Sequence, residues 1–441
     1  MRNSIVLMFF PKLEENKDFH YPPISLLSVA APIVQGGYEC KIIDERVDNN
    51  YLELLSEYLP KASCVFLTAY TGYQVTRAYE AAKYIKLNFP GVKLVWGGPH
   101  VTHLPDQSIK SDFVDIIFWG YAETSIKDLI TAISNGENLS KVDNLYYKDK
   151  NKKVILTTKN TNIAPTDFAE IPYNLVDIFR YINPATKRFM YISTYGCPGI
   201  CTFCATKTRR KWLPIEINKV KRDINYLMSK YAFKECVFFD ATLFTDYKRV
   251  LVLSELMKVY DINWIANARS QDIYNISDEI LSQIVGAGLK QLTIGLESGS
   301  PNVVNIMRKG KDHLYKFEKV AEKLSKYNIK LASGLIFGSP GETIEDLLET
   351  ITYVKKIKAI NHNFFISSTF FRPLPDTILY DVVRRNGIRM PETLEEWAKI
   401  GASSHYRYNE WMDSPWMNKT DVEEYRIIYE EFVQGNKNMF V

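Results

Sequence analysis

The sequence predicts an α/β protein with two successive parallel sheets and a small, mainly helical C-terminal region. Short apolar runs alternate with longer helix-like segments through most of the 441 residues, which is typical of βα units with parallel strands. A chain of this length exceeds one ordinary domain, and 46% hydrophobic residues suffice for full cores. We therefore expect two main domains and an appendage.

Residues 1–145 form the first predicted domain, an open doubly wound sheet of the Rossmann type. Its strands are expected at Ser4–Phe10, Tyr38–Asp44, Cys64–Ala69, Lys93–Trp96 and Asp115–Trp119, with helices such as Ile24–Gly36 and Gln74–Asn88 between them. The ligand crevice of such a sheet lies at the carboxyl ends of its strands. No Gly-x-Gly-x-x-Gly follows any of these strands, so a dinucleotide site is not indicated.

Residues 146–185 are expected to be a linker with one hairpin. The hairpin pairs Leu145–Tyr147 with Val154–Thr157 around a polar turn, and Pro165 and Pro172 follow it.

Residues 186–385 contain the second predicted sheet. Its strands are expected at Phe189–Thr194, Cys236–Asp240, Trp264–Arg269, Gln291–Glu297, Leu331–Phe337 and Phe364–Phe371, with Val220–Lys230 as the first crossover helix. Polar residues at the carboxyl edge of a parallel sheet are the ones placed for function.

Three cysteines in one short loop carry the strongest chemical signal. Cys197, Cys201 and Cys204 have C-x3-C-x2-C spacing, which can place three thiolates around one soft metal centre and leave a position open. A structural zinc site usually takes four protein ligands, yet the next cysteine is Cys236 and the next histidine is His313. An iron–sulfur cluster is therefore favoured over structural zinc or three buried thiols.

This loop, with the aromatic Phe203 just before the last cysteine, resembles that of the radical SAM enzymes. In that family three cysteines hold a [4Fe–4S] cluster, S-adenosylmethionine (SAM) chelates the fourth iron, and reductive cleavage of SAM gives a 5′-deoxyadenosyl radical. The resemblance implies a partial (β/α)6 barrel for the second sheet. It also implies an external electron donor of the flavodoxin or ferredoxin type.

Positions after the cysteine loop match the SAM contacts of the family. Phe203, within the loop, is also one of these predicted contacts. Asp240 matches the contact to the methionine amino group, with a helix N-cap as the alternative. Arg269 can bind the methionine carboxylate, with a surface ion pair as the alternative. Glu297 matches the ribose-binding position, and Gly338 lies in the adenine-side motif, for which a plain turn is the alternative.

The N-terminal domain is similar to the cobalamin-binding domain that precedes many radical SAM domains. The similarity rests on the runs at residues 21–30, 36–44, 97–102 and 115–123. It implies cobalamin contacts from Tyr70, Thr71, Gly72, Gly97, Gly98, Pro99, His100, Gly120 and Glu123. Small residues in such loops let the backbone approach a large planar ligand.

Two positions depart from the cobalamin-binding pattern. Gly120-Tyr-Ala-Glu123 lacks one acidic residue of the usual Gly-Glu-x-Glu. The run from Asp18 through His20 has proline at residue 23, where the Asp-x-His-x-x-Gly motif ends in glycine. We therefore interpret His20 as a solvated loop residue and not as a cobalt ligand.

Composition excludes several other classes of protein. A net charge of +4 is slight, and no Lys/Arg tract with interleaved aromatics occurs, so nucleic acid is not indicated. The sequence shows neither a membrane-spanning apolar stretch nor a signal-peptide pattern, which predicts a cytoplasmic protein. Cys40, Cys64 and Cys236 are scattered, which suits a reducing compartment and cannot supply a second cluster.

Residues 386–441 are rich in rings and charge, among them Trp397, Tyr406, Arg407, Tyr408, Trp411, Trp416 and Tyr425. This composition resembles the variable C-terminal cap that covers the barrel mouth and selects substrate. The alternative, for Tyr425–Phe432, is an amphipathic helix packed on the barrel. A TRAM-like β tail is absent, which disfavours the tRNA methylthiotransferases.

Together the resemblances predict a cobalamin-dependent radical SAM enzyme that methylates an unactivated carbon of a small metabolite or natural-product intermediate. The alternatives are a cyclisation or rearrangement enzyme with the same cofactors, and a radical SAM enzyme with a vestigial B12 domain. A corrinoid- or metal-binding module without turnover is the non-enzymatic alternative. No catalytic acid or base can be identified from the sequence.

Overall fold

The computed structural model describes residues 5–13, 21–161, 168–205, 211–402 and 417–440. It divides the chain into two units, residues 1–183 with 390–406 and residues 184–389 with 407–441. Each unit has its own large, mainly parallel sheet, so the predicted α/β class is confirmed. No helix among the described residues is both long and apolar enough to span a bilayer.

The first unit is built on a seven-stranded sheet in the order β2-β1-β3-β4-β5-β6-β7. Its strands are β1 Ile5–Phe10, β2 Cys40–Asp44, β3 Ala62–Thr68, β4 Lys93–Gly97, β5 Ile116–Phe118, β6 Leu145–Lys148 and β7 Val154–Leu156. Its helices are α1 Ile24–Gln35, α2 Tyr51–Tyr58, α3 Tyr73–Asn88, α4 Pro99–His103, α5 Pro105–Ser108 and α6 Ile126–Asn135.

Strand β1 is an apolar inner strand of this sheet, with a neighbouring strand on each side. Its sequence Ile-Val-Leu-Met-Phe-Phe is apolar throughout and buried at every position, because helices cover both faces of a doubly wound sheet. It pairs in parallel with β2 on one side and β3 on the other. The strand order therefore reverses between β1 and β3, which is where such folds open a ligand crevice.

The hairpin that was expected in a linker extends the first sheet instead. Strand β6 runs antiparallel to β5, with Tyr146 opposite Ile117, and β7 pairs with β6. Leu145, Tyr146 and Tyr147 are buried. An isolated two-stranded hairpin is marginal in water, whereas pairing with β5 buries these three side chains.

The segment after the hairpin also belongs to the first unit. The Tyr181 hydroxyl donates to the Asp44 carboxylate at 2.9 Å, and Arg46 binds the same carboxylate through Nε at 2.9 Å and Nη2 at 2.6 Å. All three side chains are buried. The carboxyl end of β2 is thus anchored to the segment near residue 181 by a buried polar network.

The second unit has a six-stranded parallel sheet in the order β15-β14-β13-β12-β11-β8. Its strands are β8 Arg188–Tyr191, β11 Glu235–Phe238, β12 Asn263–Ala268, β13 Leu289–Ile294, β14 Lys330–Phe337 and β15 Phe364–Phe370, and a small antiparallel pair is formed by β9 Thr194–Tyr195 and β10 Leu213–Pro214. Strands that neighbour in sequence also neighbour in space. This is the predicted partial (β/α)6 barrel.

Helices alternate with these strands. They are α7 Ile217–Lys230, α8 Tyr247–Val259, α9 Ser270–Asn275, α10 Asp278–Gly286, α11 Pro301–Ile306, α12 His313–Lys326, α13 Ile344–Ile360 and α14 Ile378–Arg385. Several begin at a capping side chain just beyond a strand, as at Thr343, whose hydroxyl accepts from the Asp346 amide in a capping box. These starts place the strand-end loops at one edge of the barrel.

The C-terminal region is helical, as predicted, but its two helices belong to different units. Helix α15, Leu394–Ala402, packs in the first unit, where the Thr76 hydroxyl donates to the Ala398 carbonyl at 2.6 Å. Helix α16, Lys419–Gly435, packs in the second unit and buries Tyr425 and Phe432, as the amphipathic-helix alternative requires. In the described part of the chain, 3-10 turns also lie at Leu59–Lys61, Leu139–Lys141, Tyr173–Leu175, Ile178–Tyr181 and Lys437–Met439.

The predicted cap at residues 386–441 is therefore divided between two units. Of its predicted aromatic and charged residues, Tyr406, Arg407, Tyr408, Trp411 and Trp416 lie outside the described residues, as does His20.

Candidate functional site

The three cysteines lie in the loop that follows β8 and β9 at the carboxyl edge of the second sheet. All three are half-buried, and none forms a disulfide. The Gly199 amide donates to Cys197 Sγ at 3.3 Å, and a Cβ added at Gly199 would lie 3.3 Å from Cys197 Sγ and 3.9 Å from Cys201 Sγ. At least two of the thiols therefore face the same small space beside a glycine.

Thr202 holds this loop in place. Its hydroxyl donates to the Ile306 carbonyl at 2.9 Å, its amide donates to the Met307 carbonyl at 3.1 Å, and its carbonyl accepts from the Leu379 amide at 3.1 Å. Thr202 is buried, and Phe203 beside it is half-buried. Two helix ends thus fix the backbone between Cys201 and Cys204.

Two cations lie close enough to act on the thiols. Burial raises the pKa of Cys197 and of Cys201, while the charge of Arg269 opposes this at Cys197 and the charge of Lys309 opposes it at Cys201. Positive charge favours the thiolate, which is the form that binds metal. Sequence reasoning did not single out Lys309.

The donor set fits an iron–sulfur cluster. Among the described parts of the chain, no group of three His, Cys, Asp or Glu side chains already has metal-ligand spacing. The three thiols nevertheless share one short loop and interact electrostatically with one another. Thiolates on a loop of this kind are the usual ligands of iron–sulfur clusters, and metal binding itself organises such ligands.

Glu297 stands just beyond β13 in a strained backbone conformation. Its φ of 68° is unusual for a residue with a side chain. Its amide donates to the Gly334 carbonyl at 3.0 Å and its carbonyl accepts from the Ile336 amide at 2.8 Å. These two hydrogen bonds to β14 maintain the strained conformation. Strain of this kind concentrates at functional positions.

The Glu297 carboxylate lies over Gly295 and pairs with Lys309. The distance from Lys309 Nζ to Glu297 Oε1 is 3.2 Å, and both side chains are largely buried. A Cβ added at Gly295 would lie only 2.1 Å from Glu297 Oε1, so any larger residue there would displace the carboxylate. The structure thus fixes an oriented carboxylate and its counter-ion at the predicted ribose-binding position.

Arg269 forms the ion pair that was its alternative role, and its contact with the methionine carboxylate stays a prediction. It follows β12 and forms a two-bond ion pair with Asp272, at 2.9 Å from Nε and 2.6 Å from Nη2. Its side chain is still 34% exposed, and its charge acts on Cys197. The ion pair orients the guanidinium beside the cysteine loop without enclosing it.

Asp240 has a structural role that the sequence did not predict. Its carboxylate accepts from the Ser193 amide at 2.8 Å, from the Ser193 hydroxyl at 3.2 Å and from the Thr194 amide. Burial raises the pKa of Asp240 to about 6, and these hydrogen bonds act in the opposite direction. It does not cap a helix either, since Asp246 caps α8.

The buried Asp240 carboxylate therefore braces the segment that leads into the cysteine loop. Arg249 adds to this brace, because its Nη2 donates to the Ser193 carbonyl at 3.1 Å. This arrangement argues against the predicted contact between the Asp240 carboxylate and the methionine amino group.

Gly338 lies in a turn that the C-terminal helix α16 holds from outside. Its φ is 70°, and its amide donates to the Tyr425 hydroxyl oxygen at 3.1 Å. That hydroxyl donates to Glu342 at 2.9 Å, and Glu342 also accepts from the Ser339 amide at 2.8 Å. Burial raises the pKa of Glu342 to about 7. The turn is thus tied to α16, and the sequence analysis, which placed Tyr425 in the C-terminal cap, did not predict this contact.

The predicted cobalamin contacts lie at three neighbouring strand ends of the first sheet. Tyr70, Thr71 and Gly72 follow β3; Gly97, Gly98, Pro99 and His100 end β4 and begin α4; and Gly120 and Glu123 follow β5. A Cβ added at Gly72, Gly97 or Gly120 would meet no atom within 4 Å. These three glycines therefore border open space, which fits the approach of a large ligand.

Gly98 differs from its neighbours. A Cβ there would lie 2.8 Å from Thr68 Oγ1 and 2.9 Å from the Ala69 amide nitrogen, and its φ is 92°. It allows the ends of β3 and β4 to approach closely, which is a structural role. Glu123 also has a partner within the unit, since it accepts from the Ser28 hydroxyl at 2.8 Å.

His100 is fully buried behind these glycines. Its Nδ1 forms a hydrogen bond with the Thr71 hydroxyl at 3.0 Å, and its ring meets the edge of Trp397 from α15 with 5.5 Å between centroids. Burial lowers the pKa of His100 to about 3, so its ring is neutral. Among the described residues, Nε2 has no hydrogen-bond partner. This buried nitrogen and the open glycine faces fit a ligand with polar groups at the sheet edge.

Family models match the two units in chain order. The B12 binding domain model matches residues 16–130, and the radical SAM superfamily model matches residues 191–354.

Curated relatives share most of the chain at low identity. An uncharacterized methyltransferase of Pyrococcus horikoshii is 26% identical over 387 residues, which is 86% of this chain and 82% of the relative. The anaerobic magnesium-protoporphyrin IX monomethyl ester cyclase of Synechocystis is 22% identical over 66% of this chain and 59% of its own. The bacteriochlorophyllide d C-8(2)-methyltransferase of Chlorobaculum tepidum is 25% identical over 75% of this chain and 69% of its own.

Solved structures share the fold. The cobalamin-dependent SAM radical enzyme OxsB superposes with a TM-score of 0.67 at 18% identity, covering 80% of this chain, which spans about half (52%) of OxsB. The radical SAM methyltransferase TsrM from Kitasatospora setae superposes with a TM-score of 0.72 at 15% identity, covering 88% of this chain and 77% of its own. Both family models match in this order along one chain, so the protein carries a B12 binding domain ahead of a radical SAM domain.

Proposed function

We propose that this enzyme uses a [4Fe–4S] cluster, SAM and cobalamin to methylate an unactivated carbon of a small metabolite or natural-product intermediate. The observation that carries the proposal is the pairing of a B12-binding domain with a radical SAM domain in one chain. Relatives over most of the chain are named methyltransferases. When bound, SAM at the cluster supplies a 5′-deoxyadenosyl radical and cobalamin supplies the methyl group.

In the second unit, we assign cluster binding to Cys197, Cys201 and Cys204. The buried Glu297 carboxylate would accept hydrogen bonds from the SAM ribose, with Lys309 balancing its charge. Arg269, oriented by Asp272 and partly exposed, would bind the methionine carboxylate. Glu297 and Arg269 each follow a strand, at the carboxyl edge where parallel sheets usually carry their functional side chains.

Phe203 and the Gly338 turn would complete the SAM site. Phe203 is half-buried within the cysteine loop, and Gly338 brings backbone close to a flat base without a side chain in between. Tyr425 would act indirectly, because it holds the Gly338 turn from the outer side.

In the first unit, we assign cobalamin binding to the strand-end loops after β3, β4 and β5. Gly72, Gly97 and Gly120 would allow close approach of the corrin or its nucleotide tail, and His100 Nε2 would donate or accept one hydrogen bond. We assign cobalamin binding to residues 1–145, whose sheet the hairpin of β6 and β7 extends, and the radical chemistry to residues 186–385.

A cyclisation or rearrangement that uses the same cofactors is the second candidate function. The cyclase of Synechocystis aligns with 66% of this chain, so the shared architecture does not select one reaction. Methylation consumes SAM as a methyl donor and yields S-adenosylhomocysteine, whereas the alternative reaction yields 5′-deoxyadenosine without it.

The test is anoxic purification from a cobalamin-supplied host, followed by assays of iron, sulfide and cobalt and by incubation with SAM and dithionite. We expect about four irons and one cobalt per chain, with formation of both 5′-deoxyadenosine and S-adenosylhomocysteine. Deoxyadenosine alone would favour the second candidate. Absence of SAM cleavage by the fully loaded protein would contradict both candidates, and iron without cobalt would leave the B12 domain vestigial.

A further inference from the structure

His313 is a buried histidine that the site described above does not use. It is the first residue of α12, and only 4% of it is exposed. Its Nε2 lies 3.1 Å from the Leu296 carbonyl oxygen, and its Nδ1 lies 3.1 Å from the Ser270 hydroxyl oxygen. Both ring nitrogens therefore have partners, and the two partners belong to the ends of two different strands, β13 and β12.

The two hydrogen bonds determine which ring nitrogen carries the proton. A carbonyl oxygen can only accept, so the bond to Leu296 requires a proton on Nε2. Burial lowers the pKa of His313 to about 3, so the ring is neutral at neutral pH and Nδ1 has no proton. The Ser270 hydroxyl must therefore donate to Nδ1. His313 is thus a donor at one strand end and an acceptor at the other.

Each partner of His313 is the neighbour in sequence of a residue in the proposed SAM site. Leu296 directly precedes Glu297. Ser270 directly follows Arg269 and is the first residue of α9. The histidine ring therefore bridges the two backbone segments that carry the oriented carboxylate and the guanidinium.

Helix α12 also holds α9 at other points. The Lys316 ammonium donates to the Gln271 side chain, and the Lys323 ammonium donates to three backbone carbonyls at the end of α9. Helix α9 in turn carries Asp272, whose carboxylate orients Arg269. The position of the guanidinium therefore depends on how α9 packs against α12.

We propose that His313 is a positioning residue that sets the distance between the two charged groups that bind SAM. The inference rests on the proposed function, in which Glu297 binds the ribose and Arg269 binds the methionine carboxylate. One SAM molecule carries both groups, so it binds well only when the separation of the two side chains matches the ligand. Since the imidazole ring is rigid and bonded at both nitrogens, it holds that separation before SAM arrives.

A purely structural role for His313 predicts a different result. A histidine that only stabilised the fold would lower the free energy of unfolding when it is removed, without changing the affinity of the folded protein for SAM. Positioning predicts a loss of affinity that is larger for whole SAM than for its separate parts. Of the two charged groups, methionine uses only Arg269, and 5′-methylthioadenosine uses only Glu297.

The experiment compares the native protein with Ser270→Ala and His313→Gln, each as the cluster-loaded full chain under anoxic conditions without reductant. Ser270→Ala leaves the histidine in place, whereas His313→Gln offers a donor to the Leu296 carbonyl but has lost the acceptor for Ser270. Calorimetry measures the dissociation constants of SAM, methionine and 5′-methylthioadenosine.

We expect SAM to bind about tenfold more weakly to each variant than to the native protein. The double variant should bind SAM no more weakly than His313→Gln alone, because both changes break the same bridge. Methionine and 5′-methylthioadenosine should bind to the variants nearly as they do to the native protein, because each needs only one of the two charged groups.

The control is His362→Gln, which changes an exposed histidine ahead of β15 in the same unit. It should bind all three ligands like the native protein. Native SAM affinity in Ser270→Ala and His313→Gln would overturn the positioning role, as would an equal loss for SAM and for both of its parts. Failure of the native, cluster-loaded protein to bind SAM would contradict the proposed function itself.

Discussion

The carboxyl edges of the two parallel sheets carry predicted site residues in opposite ways. At the first sheet, Gly72, Gly97 and Gly120 border open space, and the buried His100 ring is neutral. At the second sheet, Glu297 pairs with Lys309 and Arg269 pairs with Asp272. One edge offers backbone surface, and the other offers charges that are already oriented.

The two edges would therefore recognise their ligands differently. A large planar molecule is bound mainly by shape, so the first edge needs glycines, which leave space for the ligand. SAM and a metal cluster are charged, so the second edge needs side chains held in fixed positions before the ligands arrive. An added side chain should therefore damage the first edge, and a removed charge or ligand should damage the second.

The largest effect is expected from removal of a cluster ligand. Cys201→Ala should lose most of its iron and all SAM cleavage, because two thiolates cannot hold the cluster. Cobalt content should remain, since no predicted cobalamin contact changes. Iron, cobalt and 5′-deoxyadenosine are measured on the anoxically purified variant.

The matched control is Cys236→Ala, a buried cysteine of β11 in the same unit. It should retain its iron. A full complement of iron in Cys201→Ala, or loss of iron in both variants, would contradict the ligand assignment.

The next largest effect is expected at the buried ion pair. Lys309→Met leaves the Glu297 carboxylate without its partner, which should lower the free energy of unfolding by about 3 kcal/mol or more. Urea unfolding of the cofactor-free protein measures this. SAM affinity, measured by calorimetry on the cluster-loaded protein, should fall as well because Glu297 loses its orientation.

Lys311→Met changes an exposed lysine two residues away and should cost less than 0.5 kcal/mol. The double variant Glu297→Gln/Lys309→Met should recover much of the lost stability, since no unpaired charge then remains buried. Similar stability of Lys309→Met and Lys311→Met would show that the pair is not coupled.

A pH effect is expected at Glu342, which faces Tyr425 and Asp346. Its pKa is raised to about 7 in the folded protein from the ordinary 4.5, so the folded state binds the extra proton between these values. The free energy of unfolding should therefore fall as pH rises from about 4.5 to 7, by at most about 3 kcal/mol from this group.

Glu342→Gln removes this titration while retaining hydrogen-bonding atoms for Ser339 and Tyr425. Its unfolding free energy, measured in urea from pH 5 to 8, should depend less on pH than that of the native protein. Glu345→Gln, at an exposed position of α13, should keep the native slope. Parallel pH profiles for all three proteins would refute the role of Glu342.

The smallest effect is expected from added bulk at the first sheet. Gly97→Val places a strand-compatible side chain in open space, so the fold and the iron content should be retained. Cobalamin affinity should fall about tenfold or more because the side chain takes the space of the ligand.

Gly91→Val, in the exposed turn before β4, is the control and should bind cobalamin like the native protein. Spectroscopic titration of cobalamin compares the two. Unchanged affinity in Gly97→Val would remove this strand end from the proposed cobalamin site.

Sequence patterns were most informative where structure is local. All five predicted strands of the first domain and all six of the barrel are present, with ends that differ by a few residues. The hairpin at Leu145 was predicted as a hairpin but not as part of the sheet, because pairing with β5 depends on a distant segment. The division of the C-terminal helices between two units was missed for the same reason.

The two parallel sheets, the cysteine loop, and the polar or glycine-rich strand ends could all be predicted from the sequence. Periodicity and spacing along the chain suffice for these features. Three contacts could be seen only in the folded chain: Lys309 pairs with Glu297, Asp240 braces Ser193, and Trp397 packs against His100. Each of these contacts joins segments that pack together only after the chain has folded, and no local pattern records such a meeting.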